Sequence, residues 1–597
     1  TGDQPPGSAD VGIYSSFYGG SRMGAAGGWV YSVWEDNRSG IWDVYFDRTP
    51  AATPTWPTGE VLLSTLAGGH TGSQTPVIAA SGSAVWVTWS EIAGLGTRCI
   101  YLNRSSDNGQ SWLPAPIALD NMASQGAYNP VISAAGSNVY VAWAATVNPG
   151  IVSDIRVKRS TDGGVTWPAN EIPLTAGVLA LYHDIASAGS NVFVVWAQAA
   201  PGGGSEIWFR SSANAGQTWA APRRLDSAPP GPGARWSPKV RCAGSSVYVA
   251  WHDQRALGGA VNDVYFAYSM DAGVSWSPDV SITGPGTSEN HYFHMARNGS
   301  DVYVAYASNR NNIPQGRDDI YLNSSTNGGQ SWNGEVRLNG GTPAGTRQAA
   351  YPRVTVTGSN VYVVWQDDRN GAAFSGWDIY GTHSINRGLT WPGSDYRIDL
   401  GSPPGAAASW YPDIASDASG AYYAWRDLRN GLGDVYANAL QIGPDEADIF
   451  FVESLDGGTT WAPPLRVNDD NTPNDQTHPW LDIKPNGIVD VVWYDKRNDP
   501  NDRMPDVYFA ALLPGSGAFQ PNVRITTQSI QPAAMNWMGD YNGIEVDAPI
   551  AHMVWTDTRR DPWGDIYYDN RPNPDLPQLG ACCLPDGGCL VMDLSSC

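Results

Sequence analysis

Apolar residues along the chain fall in short runs such as "VYVAW" and "VYVVW", broken by Gly, Asn, Asp, Ser and Pro. Runs of this length between turn formers predict β-strands, and long stretches of helical period are missing. A run ending in an aromatic residue recurs at Trp34, Trp89, Trp143, Trp196, Trp251, Tyr306, Trp365, Trp425, Trp493 and Trp555, at spacings of 53 to 68 residues. Ten such markers imply ten repeats. Each repeat opens with a Pro-containing run (A) and continues with the marker run (B). A run typified by "DIY" or "DVYF" follows (C), and a short run such as "VRLN" closes it (D). A four-stranded sheet this small cannot cover both its faces, so neighbours must stack. The expected fold class is all-β, with the repeats as blades of a β-propeller.

Between C and D most repeats carry a variant of "STDGGVTW" (Ser160–Trp167), at Ser105–Trp112, Ser160–Trp167, Ser212–Trp219, Ser269–Trp276, Ser325–Trp332, Ser384–Trp391 and Ser454–Trp461. Its acidic position is Asp107, Asp162, Asp271 and Asp456 in four copies and Asn214, Asn327 and Asn386 in three. Asn keeps the acceptor oxygen and loses the charge, so the position needs a hydrogen bond and not an ionised carboxylate. Short polar side chains stabilise turns, the fifth residue is a Gly free to take positive φ, and the Trp is an apolar anchor. The motif resembles the Asp-box of bacterial neuraminidase repeats, which implies a turn between strands C and D. The resemblance spans nearly the whole chain, and its last repeats, with "THPWLDIKPNGIVDVVWYDKRNDP" and "WMGDYNGIEV", look like segments of secreted bacterial sialidase-like propellers.

The repeats predict one ring of ten blades over residues 1–575, favoured over two rings of five because no linker breaks the repeat near its middle. Sortilin-type receptors offer an architectural parallel of that size. The residue six before each box Ser is Cys99, Asp154, Glu206, Asp263, Asp319, Asp378 or Asp448, which locates strand C and makes Asp434–Ala447 an insertion. The tenth repeat ends after strand C, and "DVGIYSSF" (Asp10–Phe17) is expected to supply its missing strand and latch the ring. Residues 576–597 hold Cys582, Cys583, Cys589 and Cys597, read as a disulfide-stapled module and a possible connector for self-assembly. Cys99 and Cys242 are expected as buried thiols. A start at Thr1 without a signal peptide fits a processed, secreted form.

Charge narrows the partners. A formal −23 argues against nucleic acid and anionic membranes, and no apolar run has the roughly 18 residues of a membrane helix. Carboxylate density makes Ca²⁺ a candidate ligand at Asp469 and Asp470 in one loop and Asp499 and Asp502 in the next, without EF-hand spacing.

Two patterns invite a functional reading. W-x-D-x-R follows the marker at Asp36/Arg38, Asp253/Arg255, Asp367/Arg369, Asp427/Arg429, Asp495/Arg497 and Asp557/Arg559, with Arg310 alone in the sixth repeat. Catalysis needs one of each group and a frame needs one per blade, so repetition favours a structural pair, expected with the Asp that begins strand C. The residues leading into strand A are more varied: Tyr128, Tyr182, His183, Trp236, His291, Tyr292, His294, Tyr351, Arg353, Trp410, Tyr411, His478, Trp480, Trp537, Asp540 and Tyr541. In the resembled family these line the face opposite the boxes, where sialidases hold their site, and aromatic faces beside polar groups suit sugars or extended peptides. For catalysis the candidates are Arg353, Tyr351, Asp540 and Tyr541. The R-I-P motif of sialidases is missing near the N-terminus, "YPRV" (Tyr351–Val354) is only a reversed echo, and no Glu–Tyr pair stands apart from the repeats. The expectation is therefore a secreted or cell-surface module that binds or assembles glycans or proteins, with sialidase-type hydrolysis and a structural layer subunit as alternatives.

Overall fold

The computed structural model describes residues 11–12 and 22–530 apart from intervening stretches, the longest being 441–448 and 454–464. Beyond 530 it describes the strands Gly543–Asp547, Ile550–Asp557, Asp565–Pro572, Gly580–Cys583 and Cys589–Met592 by their backbone. All described regular structure is β-strand, and no helix is long and apolar enough to cross a membrane. The chain divides into two compact units, Thr1–Gln441 and Ile442–Cys597.

The first unit holds eight antiparallel sheets, seven with strands in chain order A-B-C-D and the eighth with A-B-C. The inner strands A are Met23–Ala26, His70–Ser81, Ala127–Ala135, Ala180–Ala188, Arg235–Ala243, Asn290–Asn298, Ala349–Thr357 and Ser409–Asp417. Strand B shows why such blades must stack: Asn360–Asp367, "NVYVVWQD", is buried at every position after the first, so both its faces are covered. The cores accordingly lie between blades. Tyr303, Ala305 and Ile320 of blade six pack against Val354, Val363 and Trp365 of blade seven.

The box copies in this unit form the C–D turns. Ser160 Oγ donates to Asp162 Oδ1 (2.6 Å) and accepts from the Gly164 amide (2.8 Å), while Asp162 Oδ1 accepts from the Thr166 amide (2.9 Å). Asn214 makes the same acceptances from Ser212 and from the Thr218 amide, both at 2.9 Å, and donates to Thr218 Oγ1 (2.8 Å). The box Trp reaches past its own blade: Trp276 meets Phe209 of the preceding blade edge-on at 4.8 Å, and Trp332 meets Phe266 at 4.9 Å. Gly273, at φ +87°, is pressed so close that a Cβ would lie 2.5 Å from the Phe209 ring. Each turn is also tied to the A–B turn of its blade, as by the Ala272 amide to the Ser245 carbonyl at 2.8 Å, so boxes and A–B turns share one face. Asp456 lies outside the described residues.

The first unit closes after eight blades, where a ring of ten was expected. Each inner strand neighbours the next, and that of blade eight neighbours that of blade one. Asp413 Oδ2 accepts from the backbone amides of Arg22 (2.8 Å) and Met23 (3.1 Å), and Tyr422 OH donates to the Ala51 carbonyl (2.9 Å). Met23, Val30 and Trp34 of blade one share a core with Ala415, Tyr422 and Ala424 of blade eight. The expected latch is also corrected in its described part: Val11–Gly12 pairs with Asp36 and Glu35, extending the first blade's own inner strand. The physical reason is that the eighth repeat holds two segments fit to be strand C. Asp434–Leu440, read from sequence as an insertion, pairs with Ala421–Asp427 and completes blade eight as a three-stranded sheet.

In the second unit Phe450–Phe451 pairs with Leu465–Arg466, and Phe451 packs with Val491, Trp493 and Tyr508. Gln476–Ile483, Val489–Asp495, Asp506–Leu512 and Val523–Arg524 form a four-stranded sheet, and Gly543–Asp547, Ile550–Asp557 and Asp565–Pro572 a three-stranded one. Gly580–Cys583 pairs with Cys589–Met592, with Cys583 opposite Cys589 in the backbone register. The side chains of Cys582, Cys583, Cys589 and Cys597 lie outside the described residues. Cys99 and Cys242 are buried free thiols.

Candidate ligand site on the inner strands

Each inner strand of blades two to eight breaks register at one equivalent place, and that of blade two has a second break at His70/Gly72. The breaks fall at Gln74/Val77, Tyr128/Val131, Leu181/Asp184, Trp236/Lys239, His291/His294, Ala350/Arg353 and Trp410/Asp413. Within each break one residue takes positive φ: Thr75, Asn129, Tyr182, Ser237, Tyr292, Tyr351 and Tyr411, at 45° to 55°. Asn tolerates this region, whereas a bulky Tyr there is strained, at a cost of about 1–3 kcal/mol. Four blades bear that strain to place a tyrosine at one position. Three are neighbours: Tyr292 and Tyr351 have ring centroids 4.0 Å apart, and Tyr351 meets Tyr411 edge-on at 5.0 Å. Burial, followed by the two neighbouring tyrosines, pushes the Tyr351 phenol far up, so it stays protonated.

The residue after each break is charged or ionisable from blade four onward: Asp184, Lys239, His294, Arg353 and Asp413. Several staple one blade to the next. Asp184 Oδ2 accepts from the Val240 amide and from Arg241 Nη1, both at 3.0 Å. His294 Nδ1 lies 3.1 Å from the Val354 carbonyl oxygen, and Arg353 Nε lies 3.6 Å from Asp413 Oδ1. Burial drops the Lys239 ammonium to about 8 against the pull of Asp184. His294 is held well below the usual histidine range by burial and then by Arg353, Arg241 and Lys239. Lys239 and Arg241 escaped the sequence reading. Placing the five residues that follow the breaks in one column would have exposed the charge pattern.

The other expected site residues are dispersed. His183 is buried and pushed down to about 4 by burial. Trp236 stacks on His252 at 5.3 Å, Tyr128 lies under Arg98 at 5.6 Å, and Trp410 lies under Arg426 at 5.5 Å. His291 sits between Asp318 and Glu289, each at 3.2 Å; burial opposes its charge, but the two carboxylates outweigh it and raise its pKa. Tyr182 packs at the edge of the core between blades four and five. Trp480, in the second unit, is 48% exposed. Trp537, Asp540, Tyr541, Asp502 and the side chain of His478 lie outside the described residues. Of the Ca²⁺ candidates, Asp469 and Asp470 are ion-paired with Arg497 at 2.7 and 3.2 Å, and Asp499 Oδ2 accepts from the Met504 amide at 2.8 Å. No group of three or more His, Cys, Asp or Glu able to hold a metal occurs among the described residues.

W-x-D-x-R is a structural unit, with partners other than those expected. Arg369 pairs with Asp367 and Asp395, both at 2.6 Å, and lies over the Tyr380 ring at 3.8 Å. Arg255 repeats this with Asp253, Asp279 and Tyr265. The strand-C acid takes an Asn instead, as Asn370 Nδ2 donates to Asp378 Oδ2 (2.7 Å). In blade six Tyr306 replaces the marker Trp and donates to Glu335, which Arg310 grips at 2.6 Å. In this Tyr–Glu–Arg set Tyr306 is buried, Glu335 and Arg310 are partly exposed, and the pairing repeats the same brace.

The BNR repeat-like domain family matches residues 99–363, from strand C of blade two to strand B of blade seven. No curated protein matches the chain. Similar solved structures include the Hadza microbial sialidase Hz136, at 15% identity over 54% of this chain and 71% of that one, with a TM-score of 0.32. The NanB sialidase from Streptococcus pneumoniae is 12% identical over 64% and 69%, at 0.33, and the polysaccharide lyase Uly1 is 10% identical over 66% and 95%, at 0.41. Over residues 99–363 the chain is similar to the BNR repeat-like domain family, and the Asp-box turns described above lie largely within that stretch.

Proposed function

We propose that the protein is a secreted or cell-surface propeller that binds a glycan at the inner strands of its first unit and does not cleave it. The observation that carries this reading is the tyrosine trio Tyr292–Tyr351–Tyr411, held by strained backbone beside Arg353. Backbone strain borne to present aromatic faces fits recognition of sugar rings. Glycoside hydrolysis uses a pair of carboxyl groups across the scissile bond. Of the acids beside the trio, Asp413 is committed to Arg353 and to backbone amides, and Asp318 and Glu289 are paired with His291. The C-terminal hairpin Gly580–Cys583/Cys589–Met592 supports a role for residues 576–597 as a connector in assembly.

The test is a glycan array with wild type and Tyr351→Asn. Asn129 holds the same position in blade three, so the substitution removes the ring while keeping a residue suited to positive φ. Binding that falls at least about tenfold in the variant supports the reading, on the scale of a lost stacking contact with its desolvated surroundings. Equal binding by both proteins contradicts it.

A further inference from the structure

The aromatic residues at the register breaks form a consecutive series around the first unit. Tyr128 lies in blade three, Tyr182 in blade four, Trp236 in blade five, Tyr292 in blade six, Tyr351 in blade seven and Tyr411 in blade eight. Each is the second or third residue of its inner strand and is partly exposed, whereas the residue that opens each of these strands is buried. The inner strands of these blades neighbour one another in order. The A–B turns share a face with the boxes, so the opposite ends of the inner strands, where the breaks fall, make the other rim.

The rings beyond the trio are supported from one side. Trp236 stacks on His252 at 5.3 Å, and Phe293 of blade six meets His252 edge-on at 4.9 Å. Burial drops His252 to about 3, so this backing is uncharged at neutral pH. Arg98 lies over the Tyr128 ring at 5.6 Å. A ring backed on one side and partly exposed has its other side to offer, and such rings bury apolar area at little cost in side-chain freedom. A single sugar is about the size of one phenol face, so faces in consecutive blades from three to eight suit a chain of sugars.

Two observations narrow the chain. A bulge at each rim bends the strand and interrupts its regular edge, so what repeats is a ring face and not a run of backbone groups for an added peptide strand. The groups that follow the breaks carry both signs, Asp184 and Asp413 against Lys239 and Arg353, which gives a repeating anion nothing uniform to meet.

We propose that the ligand is a linear, neutral oligosaccharide lying along the rim from blade three to blade eight, with successive sugars on Tyr128, Tyr182, Trp236 and the Tyr292–Tyr351–Tyr411 trio. The inference rests on the glycan-binding reading above and names the ligand class. The trio holds one end of the chain, and the rings of blades three to five add affinity only for chains long enough to reach them.

The test is calorimetric titration of the full chain with the dimer, tetramer and hexamer of five neutral series, the cello-, xylo-, manno-, laminari- and malto-oligosaccharides, with gelatin as an unfolded polypeptide arm. In at least one series the hexamer should bind at least about tenfold tighter than the dimer. Trp236→Ala and Tyr128→Ala should each weaken hexamer binding at least about threefold and leave the dimer unchanged, with wild-type far-UV circular dichroism. Tyr351→Asn should weaken both lengths. Equal affinity for dimer and hexamer, or full hexamer binding by both blade-three and blade-five variants, overturns the proposal and leaves the glycan-binding reading standing. No binding in any series, while Tyr351-dependent binding of another glycan persists on the array, overturns the linear neutral class alone. Binding of gelatin with none of any oligosaccharide overturns the sugar assignment, and the glycan-binding reading falls with it.

Discussion

Asp413, on the inner strand of blade eight, accepts the backbone amide of Arg22 at 2.8 Å across 391 residues of chain, and so joins the last blade of the first unit to the first. The same oxygen takes the Met23 amide at 3.1 Å. Asp413→Ala leaves two buried donors without an acceptor and Arg353 without its acid, at about 2–4 kcal/mol. Asp413→Asn keeps an acceptor and should cost less than half as much. Chemical denaturation of the full chain checks both, and equal loss in the two variants would deny Asp413 its closing role.

The Asp-box is a turn device, and its acid is replaceable. Hydrogen bonds from Ser275 and then Ser269 hold the Asp271 carboxyl down to about 2. A depressed carboxyl contributes stability that is present above its unfolded value near 3.8 and is lost as pH falls through about 2. Asp271→Asn should therefore leave the neutral-pH Tm unchanged and blunt the fall in Tm between pH 4 and pH 2. Gly273→Ala should cost about 3 kcal/mol or more, because its Cβ would lie 2.5 Å from Phe209 at φ +87°. Thermal melts across pH check both substitutions.

The W-x-D-x-R arginines brace their blades. Arg369→Ala strips the charge partner from Asp367 and Asp395 and the cation from the Tyr380 face, at about 3–5 kcal/mol. Ligand affinity per folded molecule should not change. A loss of affinity at full stability would move this arginine into the binding machinery.

Lys239 trades stability for its charge. Its folded value is about 8 against 10.5 for an unperturbed lysine. Between these values the unfolded chain binds more protons, so stability rises with pH across the window, and below it the full penalty applies. Lys239→Met should stabilise the protein by about 2–3 kcal/mol below pH 8, with the gain fading toward pH 10.5. Asp184 keeps Arg241 in the variant, so no acid is stranded. Denaturation at pH 7 and at pH 10 checks the sign: a variant weaker than wild type at pH 7 would contradict it.

Much of the frame is legible in the chain because it is written locally. Ser160, Asp162 and Gly164 need only one another to make their turn, and the tolerance of Asn214 is visible from composition alone. Ring closure is not local. Asp434 and Asp448 both begin segments fit for strand C, and only the pairing of Asp434 with Asp427 shows which one ends the eighth blade. The arginine brace was recognisable by repetition, but Asp395 and Tyr380 are brought to Arg369 by pairing between strands, which spacing does not reveal. The site was half visible: Tyr351 and Arg353 stood out as residues. Tyr292 and Tyr411 stood out with them, but that the three rings meet, and that Lys239 and Arg241 follow the same breaks, shows only when blades are laid side by side.

The central claim, that this propeller holds a glycan and leaves it whole, is tested most directly by incubating the full chain with an array-identified ligand and following both partners by mass spectrometry. The account predicts a complex with wild type that is lost with Tyr351→Asn, and a glycan recovered intact after prolonged incubation. Shortened products from wild type that disappear with Arg353→Gln would contradict it.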